Sequence, residues 1–359
     1  MNKKTNIERL IERLIEAKAE TIKLGMDVHA REVVVCVQVD GSMAQRAQKL
    51  QGWEVEALVR GLVRAGCKVY SCYEAGPCGY GFHRQLEQAG ATNYVLAPQI
   101  LIDGRQQKTD GLDARALADQ LDRYLRGNRR AFTVVRVPSE AEENRREEAR
   151  LREQLKHSRH QWEARGRSLL LFKGYVVSGA WWQPRRWEVL QPQLPEWLVG
   201  ELAVMRTLIM QLDEQEKARR QALESTAPQV RPKAVGALTW VLLSREVCDW
   251  GRFQNRRAVS SFTGLCPGVH QTGRRKRDGS INRHGNARVR ALLIELVWRL
   301  VRWQPHYPPI QALVARVCRG AARRKCAVAA ARRLAVDLWR LATGRTTPEK
   351  LGLIVLPPA

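Results

Sequence analysis

Patterns of apolar and polar residues divide the first part of the chain into short elements. Residues 6–20 repeat apolar side chains at helical spacing, which predicts an amphipathic helix. Two β-rich runs, TIKLGMDV and EVVVCVQVD, flank a polar turn at His29–Arg31 and predict an antiparallel hairpin. Further helices are predicted at 53–66, 80–90 and 108–125, and further strands at 68–76 and 93–98. This alternation predicts an α/β domain over residues 21–137, preceded by a helix within residues 1–20.

The second half of the chain has a different pattern. Charged residues dominate from Glu140, and two long helices are predicted at 140–171 and 196–225. They could pack as an antiparallel pair or against a partner chain. We therefore assign residues 138–230 to a helical coiled-coil region. A mostly α-helical domain is predicted over 231–345, interrupted by a basic loop at 263–290 and followed by a tail at 346–359.

The charge of the chain indicates a polyanionic partner. Lysine and arginine number 61 against 36 aspartate and glutamate, for a formal net charge of +25. Phosphate neutralisation supplies most nucleic-acid affinity, which favours DNA or RNA over the alternative of a membrane surface. No apolar run approaches the roughly 18–20 residues of a spanning helix, and residues 1–20 do not resemble a signal peptide. We expect a cytoplasmic, nucleoid-associated protein with no membrane partner.

Four carboxylates fall at the ends of predicted elements. Asp27 ends the first strand and Glu74 ends the strand VYSCYE. Asp110 and Asp113 share one face of the opening turn of a helix, which can bring them across the end of the sheet. Hard divalent metals prefer oxygen ligands, and two ions about 3.5–4 Å apart can activate a nucleophile and stabilise a leaving oxygen. The set predicts a two-metal site, although each acid taken alone is also typical of a helix cap, a turn or a surface position.

Two separate blocks of sequence resemble a known family. The segments GMDVHAREVVVCV, YEAGPCGYGFHRQL and KTDGLDARALA resemble the ribonuclease-H-like, RuvC-like DEDD domain of the insertion-sequence "one hundred and ten" transposases, the bridge-RNA-guided recombinases. The segments VGALTWVLLSREVCDWGRFQNRRAVSSFTGLCPGVHQTG and GSINRHGNARVRALLIELVWRL resemble the second transposase domain of that family. The resemblance covers nearly the whole chain in the order of the family.

The resemblance implies a mobile-element transposase that cleaves and rejoins DNA. The family's metal-binding acids, expected to hold two Mg²⁺ ions with Mn²⁺ able to substitute, correspond to Asp27, Glu74, Asp110 and Asp113. A noncoding guide RNA is implied as a second partner, together with dimers that pair into a tetramer. In that assembly the acids of one subunit meet the nucleophile of another, and the two long helices are the natural assembly surface.

One position departs from the family pattern. The serine nucleophile of the family precedes a glycine shortly after a GLxP segment. In this chain that segment is Gly264–Pro267 and the matching residue is Thr272. Threonine offers the same hydroxyl, but its extra methyl group stiffens χ1. Three interpretations stay open: Thr272 is the nucleophile, Ser280 substitutes for it, or this copy is inactive.

A run of cations follows Thr272. Glycines let backbone amides approach phosphate closely, and arginine binds phosphate in a bidentate fashion. The run therefore predicts nucleic-acid contact, although many charge runs are only solvated surface. The candidates are Arg274, Arg275, Lys276, Arg277, Arg283, Arg288 and Arg290.

Two other functions fit the same residues. A RuvC-like structure-specific endonuclease would use metal-activated water and would need no nucleophilic hydroxyl. A non-catalytic remnant would bind nucleic acid without cleaving it. A covalent protein–DNA adduct would distinguish the transposase from both.

Overall fold

The computed structural model describes residues 6–98, 110–272, 275–316 and 319–355. The backbone forms two compact units, Met1–Val137 and Pro138–Ala359. Each unit has a hydrophobic core of its own. None of the described helices is both long enough and apolar enough to cross a membrane.

The first unit is an α/β fold built on one mixed sheet. Its elements are α1 (Asn6–Glu16), β1 (Thr21–Val28), β2 (Val33–Val39), β3 (Gln48–Leu50), α2 (Gly52–Arg64), β4 (Lys68–Glu74), α3 (Gly81–Gln88), β5 (Thr92–Leu96) and α4 (Asp110–Leu125). The strand order is β3-β2-β1-β4-β5. Strand β2 is antiparallel to β1 and β3, whereas β4 is parallel to β1 and β5. This mixed sheet is compatible with the predicted ribonuclease-H-like domain.

Alternation along β1 sends successive side chains to opposite faces of the sheet. One face carries Ile22, Leu24 and Met26. These side chains are fully buried in a core that they share with α1 and α2. The other face carries Gly25 and Asp27, and α4 packs against it. A Cβ atom at Gly25 would lie 2.2 Å from the backbone nitrogen of Ala118. The absence of a side chain at Gly25 therefore allows the α4 backbone to approach β1 this closely.

The described part of the second unit is helical apart from one two-stranded ribbon. Its elements are α5 (Glu140–Phe172), α6 (Pro184–Leu190), α7 (Glu196–Ser225), α8 (Ala237–Val247), α9 (Arg256–Thr263), β6 (Pro267–Thr272), β7 (Arg275–Ile281), α10 (Ala287–Trp303), α11 (Pro308–Ala315) and α12 (Gly320–Ala342). Residues of α8 to α12 share the main core of this unit.

The segment 263–290, predicted as a loop, contains a two-stranded antiparallel ribbon. Strands β6 and β7 pair antiparallel, in a register that runs from Pro267 opposite Ile281 to Thr272 opposite Arg275. The prediction was wrong because both strands are short and carry few apolar residues, so no period-2 apolar pattern marks them. Backbone hydrogen bonds of the antiparallel pair connect the two strands.

The two long helices of the second unit pack against each other. Nη2 of Arg152 lies 2.6 Å from Oε1 of Glu216, and Nε of Arg159 lies 3.5 Å from Oδ1 of Asp213. Residue numbers fall along α7 as they rise along α5, so the pair is antiparallel, one of the two predicted arrangements. Three tryptophans beside the pair are core residues: Trp181, Trp182 and Trp187.

Candidate functional site

Two of the predicted acids lie at the ends of neighbouring strands. The pairing of β1 with β4 runs to Met26 opposite Tyr73, so Asp27 and Glu74 are the next residues in register. Cys72, two residues before Glu74, packs on the α4 side of the sheet. Side chains two apart on a strand share a face. Both acids therefore belong to the face that α4 covers.

Helix α4 brings the other two acids to this end of the sheet. Asp110 is its first residue, and Asp113 follows within the first turn. The helix is held by the close approach at Gly25 and by a buried ion pair, in which Nζ of Lys23 donates to Oδ1 of Asp122 at 2.6 Å. These contacts fix the position of the opening turn relative to β1.

A histidine completes a compact cluster. Nε2 of His29 lies 3.3 Å from Oδ2 of Asp27 and 3.6 Å from Oδ2 of Asp110. The ligand atoms of these three residues all lie within 4.8 Å of one another. Among the described residues, this is the group of side chains that could hold a metal ion. Glu74 and Asp113 lie outside this group of three.

The electrostatics of Asp27 reflect this crowding. Burial raises the pKa of its carboxyl, and the charges of Asp110 and Asp113 raise it further. The charge of His29 and its hydrogen bond lower the pKa, but the net shift is upward. Adjacent carboxylates repel each other when all are ionised, and a cation between them removes that repulsion.

The residues fit a divalent cation. Two carboxylates and one imidazole nitrogen are available at a spacing that a single ion can bridge. Oxygen ligands suit Mg²⁺ and Mn²⁺, and imidazole suits the transition metals better than it suits Mg²⁺. The three side chains could therefore bind either Mg²⁺ or Mn²⁺.

His29 is a functional candidate that sequence reasoning missed. The pattern of residues places His29 in the turn at His29–Arg31, and its backbone N–H does donate to the Glu32 carbonyl across that turn. A signal was present, because His29 stands two residues after Asp27 at the end of a strand. That spacing places both side chains on one face if the extended backbone continues.

The ribbon carries the other predicted site residues. Thr272 is the last residue of β6, and Ser280 is exposed on β7. Arg274 lies outside the described residues. The same holds for the side chains of Thr272, Arg275, Lys276 and Arg277. Their predicted contacts stay predictions.

The remaining predicted cations follow the ribbon along the chain, up to the first turns of α10. Arg283 is exposed and has a positive φ of 60°. Arg288 is paired, with Nε 2.7 Å from Oε2 of Glu153 on α5. Nη1 of Arg290 donates to the carbonyls of Thr263 at 3.2 Å and Arg283 at 3.4 Å. Arg290 thus holds the segment that leads out of the ribbon to the end of α9.

A buried glutamate fixes the helix that follows the ribbon. Asn286 caps the N-terminus of α10 and donates its side-chain amide to Oε2 of Glu246 at 2.7 Å. Nε of Arg150 lies 3.2 Å from the other carboxylate oxygen. Burial would raise the pKa of Glu246, but hydrogen bonds from Arg150 and Asn286 and the nearby positive charges lower it overall. The network connects α5, α8 and α10.

Comparison with known proteins finds relatives that are described as transposases. Residues 232–310 match the family described as "Transposase IS116/IS110/IS902 family". The chain is 31% identical over 302 residues to "Putative transposase y4qE" of Sinorhizobium fredii, which covers 80% of this chain and 72% of that protein. It is 25% identical over 301 residues to "Transposase for insertion sequence element IS1533" of Leptospira borgpetersenii, covering 77% of this chain and 85% of that protein.

The relatives of this chain are transposases, and its α/β unit gathers acids on one face of the sheet. Together these findings identify the chain as a transposase of an insertion sequence. The chain belongs to the IS116/IS110/IS902 family of transposases. The predicted family is therefore confirmed.

Proposed function

We propose that this chain cleaves and rejoins the DNA of an insertion sequence at a site composed of the acidic cluster and the ribbon. The cluster of Asp27, His29 and Asp110 carries the proposal, because a basic protein holds these groups at a metal-binding spacing. The assignments that go with it are a RuvC-like DEDD domain over 21–137, a coiled-coil dimerisation region over 138–230 and a transposase domain over 231–345.

The acids would hold the metal and position the phosphate. Asp27 and Asp110 are the central ligands, with Glu74 and Asp113 extending the set to a second ion. Bound Mg²⁺ or Mn²⁺ supplies Lewis-acid polarisation of the phosphate and stabilisation of the departing oxygen. The buried ion pair of Lys23 and Asp122 keeps α4 in place, so the carboxylates do not need to reorganise when substrate binds.

Thr272 would supply the nucleophile. Its hydroxyl oxygen forms a bond to the DNA phosphorus while the bond from phosphorus to a deoxyribose oxygen breaks. The proton of the hydroxyl passes to the departing oxygen. One phosphoester replaces another, so the reverse attack by a deoxyribose hydroxyl rejoins a strand and frees Thr272. Recombination then needs no external source of energy.

Partners follow from the charge and the family. The net charge of +25 supports nucleic-acid binding. We infer DNA as the substrate, a noncoding guide RNA that selects it by base pairing, and a tetramer in which the acids of one subunit serve the Thr272 of another.

A trapping experiment tests the reaction. The full-length chain is incubated with Mg²⁺ and a plasmid that carries its own element with intact ends, in the presence of element-encoded RNA. We expect a covalent protein–DNA adduct that is lost in Thr272→Ala, retained in Thr272→Ser and retained in the matched control Ser280→Ala. Free nicked product that persists in Thr272→Ala would instead support the water-using endonuclease. Binding that Asp27→Ala leaves unchanged, with no cleavage by the wild-type chain, would support the remnant.

A mixing experiment tests the shared site. Asp27→Ala and Thr272→Ala proteins are each inactive alone if both residues act in the reaction. Mixing them restores adduct formation if the acids of one subunit serve the hydroxyl of another. A mixture that stays inactive, although gel filtration shows mixed oligomers, contradicts the shared site.

A further inference from the structure

A cavity lined by arginines lies in the second unit, against α9 and α12. Its volume is about 310 Å³. Four of its eight lining residues are arginines and none is acidic. The polar side chains are Arg256, Arg257, Ser260, Arg332 and Arg333. None of them belongs to the predicted basic run at 274–290.

Most of this positive charge is not neutralised by other residues that the structure describes. The arginines that form no ion pair with another described residue are Arg256, Arg257 and Arg332. Arg333 is paired, with Nε 3.0 Å from Oδ2 of the buried Asp337, yet its side chain stays 53% exposed. The hydroxyl of Tyr307 also donates to that carboxylate oxygen, at 2.8 Å. Arg333 is thus oriented by Asp337, and the other three arginines of the cavity have no ion-pair partner within the described part of the chain.

A buried hydroxyl faces the same space. Ser260 is only 9% exposed and lines the cavity. Its hydroxyl donates no hydrogen bond to any other residue that the structure describes. The Ser260 hydroxyl is therefore available to donate to a ligand in the cavity. Two backbone amides at the start of α9 are already used, because the Asn255 side chain accepts from Arg257 and Ala258. Side chains, and not the helix terminus, would therefore bind an anion.

We propose that this cavity binds a backbone phosphate of the nucleic acid that the protein acts on. Guanidinium groups bind phosphate oxygens through paired hydrogen bonds, and the Ser260 hydroxyl supplies one more donor. The ligand is a phosphodiester, of DNA or of the guide RNA. The proposal rests on the proposed function in taking a nucleic acid as the partner and, for the position of the phosphate along the strand, in taking Thr272 as the nucleophile.

The cavity also sets a distance along the bound strand. Cys266 lines it and directly precedes β6, which ends at Thr272. Six residues of extended backbone span at most about 20 Å. A B-form strand advances about 3.4 Å per nucleotide. If the ligand is the cleaved DNA strand, the phosphate in the cavity is within roughly six nucleotides of the one that Thr272 attacks.

Binding without cleavage tests the proposal. Affinity for a 30-base-pair mixed-sequence DNA duplex, and for an RNA duplex of the same length, is measured in EDTA over a series of salt concentrations. Arg332→Gln should weaken binding to at least one duplex roughly tenfold and lower the slope of log K against log salt by about 1. Ser260→Ala should weaken binding to the same duplex without changing that slope. The matched control Arg324→Gln removes the same charge from an exposed position of α12 outside the cavity, and should change affinity by less than about twofold.

Several results would overturn the proposal. Wild-type affinity and slope for Arg332→Gln and Ser260→Ala on both duplexes would do so. A loss for Arg324→Gln as large as that for Arg332→Gln would do so as well, since it would indicate general attraction and not a site. The duplex that shows the loss identifies the source of the phosphate. Thermal unfolding of each variant separates a lost contact from a lost fold. Because EDTA prevents metal-dependent cleavage, the result does not depend on whether the proposed reaction occurs.

Discussion

The close packing of α4 on β1 makes Gly25→Ala a sensitive test of how the acidic cluster is positioned. A Cβ at Gly25 would lie 2.2 Å from the Ala118 nitrogen and 2.3 Å from the Ala114 carbonyl oxygen. Both atoms belong to the backbone of α4, so no side-chain rotation relieves the clash. Helix α4 would have to move by about 1.3 Å to restore an ordinary contact near 3.5 Å. Asp110, at the start of the same helix, would move with it.

The expected cost follows from the nature of the clash. Overpacking a filled core costs about 1–3 kcal/mol, and a backbone clash belongs at the upper end of that range. The free energy of unfolding of the first unit should therefore fall by about 3 kcal/mol. Separation of Asp110 from Asp27 should weaken Mn²⁺ binding by roughly 10–100-fold, as loss of supporting contacts around metal ligands commonly does.

Two measurements and one control decide the outcome. Urea unfolding followed by far-ultraviolet circular dichroism gives the stability, and electron paramagnetic resonance of free Mn²⁺ gives the affinity. Gly81→Ala is the matched control, because a Cβ there meets no atom within 4 Å. Both variants lower the entropy of the unfolded chain equally, so their difference isolates the contact with α4. If Gly25→Ala is as stable as Gly81→Ala and binds Mn²⁺ as tightly, α4 does not pack as described.

Three further predictions concern other parts of the chain. Glu216→Ala leaves Arg152 buried between α5 and α7 without its partner, and should cost about 3–5 kcal/mol in urea unfolding; Arg152→Leu combined with Glu216→Leu should recover most of that loss. The lowered pKa of Glu246 means that its stabilising contribution is complete above its ordinary value of 4.5 and is lost as pH falls through the folded-state value. Unfolding free energy measured at acid pH should fall less steeply in Glu246→Gln than in the wild type. His29→Ala should weaken Mn²⁺ binding more than Mg²⁺ binding in calorimetric titrations, since imidazole favours the transition metal; equal losses for both ions would argue that His29 is not a ligand.

The sheet of the first unit could be predicted because apolar patterns and burial agree there. The strands TIKLGMDV and EVVVCVQVD lie where their β-rich patterns predict, and the polar residues between them form the turn. The three-residue strand β3 was not predicted, because QKL is too short and too polar to carry a pattern. The register that brings Glu74 next to Asp27 depends on pairing between distant segments, which local pattern does not encode.

The ribbon and the arginine cavity were missed for related reasons. Strands β6 and β7 are paired through their backbones and have no apolar alternation to detect. The cavity joins Arg257 to Arg332, which are far apart in the chain and come together only because α9 packs on α12 through a shared core. Charge runs are visible in a sequence, whereas charge clusters made by packing are not.

Thr272 lies at the end of a ribbon whose base is closely packed. Close backbone contacts fix the base of the ribbon: a Cβ at Gly285 would lie 2.5 Å from the nitrogen of Gly264. The network of Glu246 and Asn286 holds the helix that follows. A β-branched residue suits the last position of a strand, so threonine at 272 supports the extended backbone while keeping a hydroxyl. The same branching restricts χ1 of a threonine. In the proposed reaction, that restriction would either favour or hinder attack by the Thr272 hydroxyl on the phosphate. Thr272→Ser removes that restriction, and the sign of its effect on adduct formation tells which of the two holds.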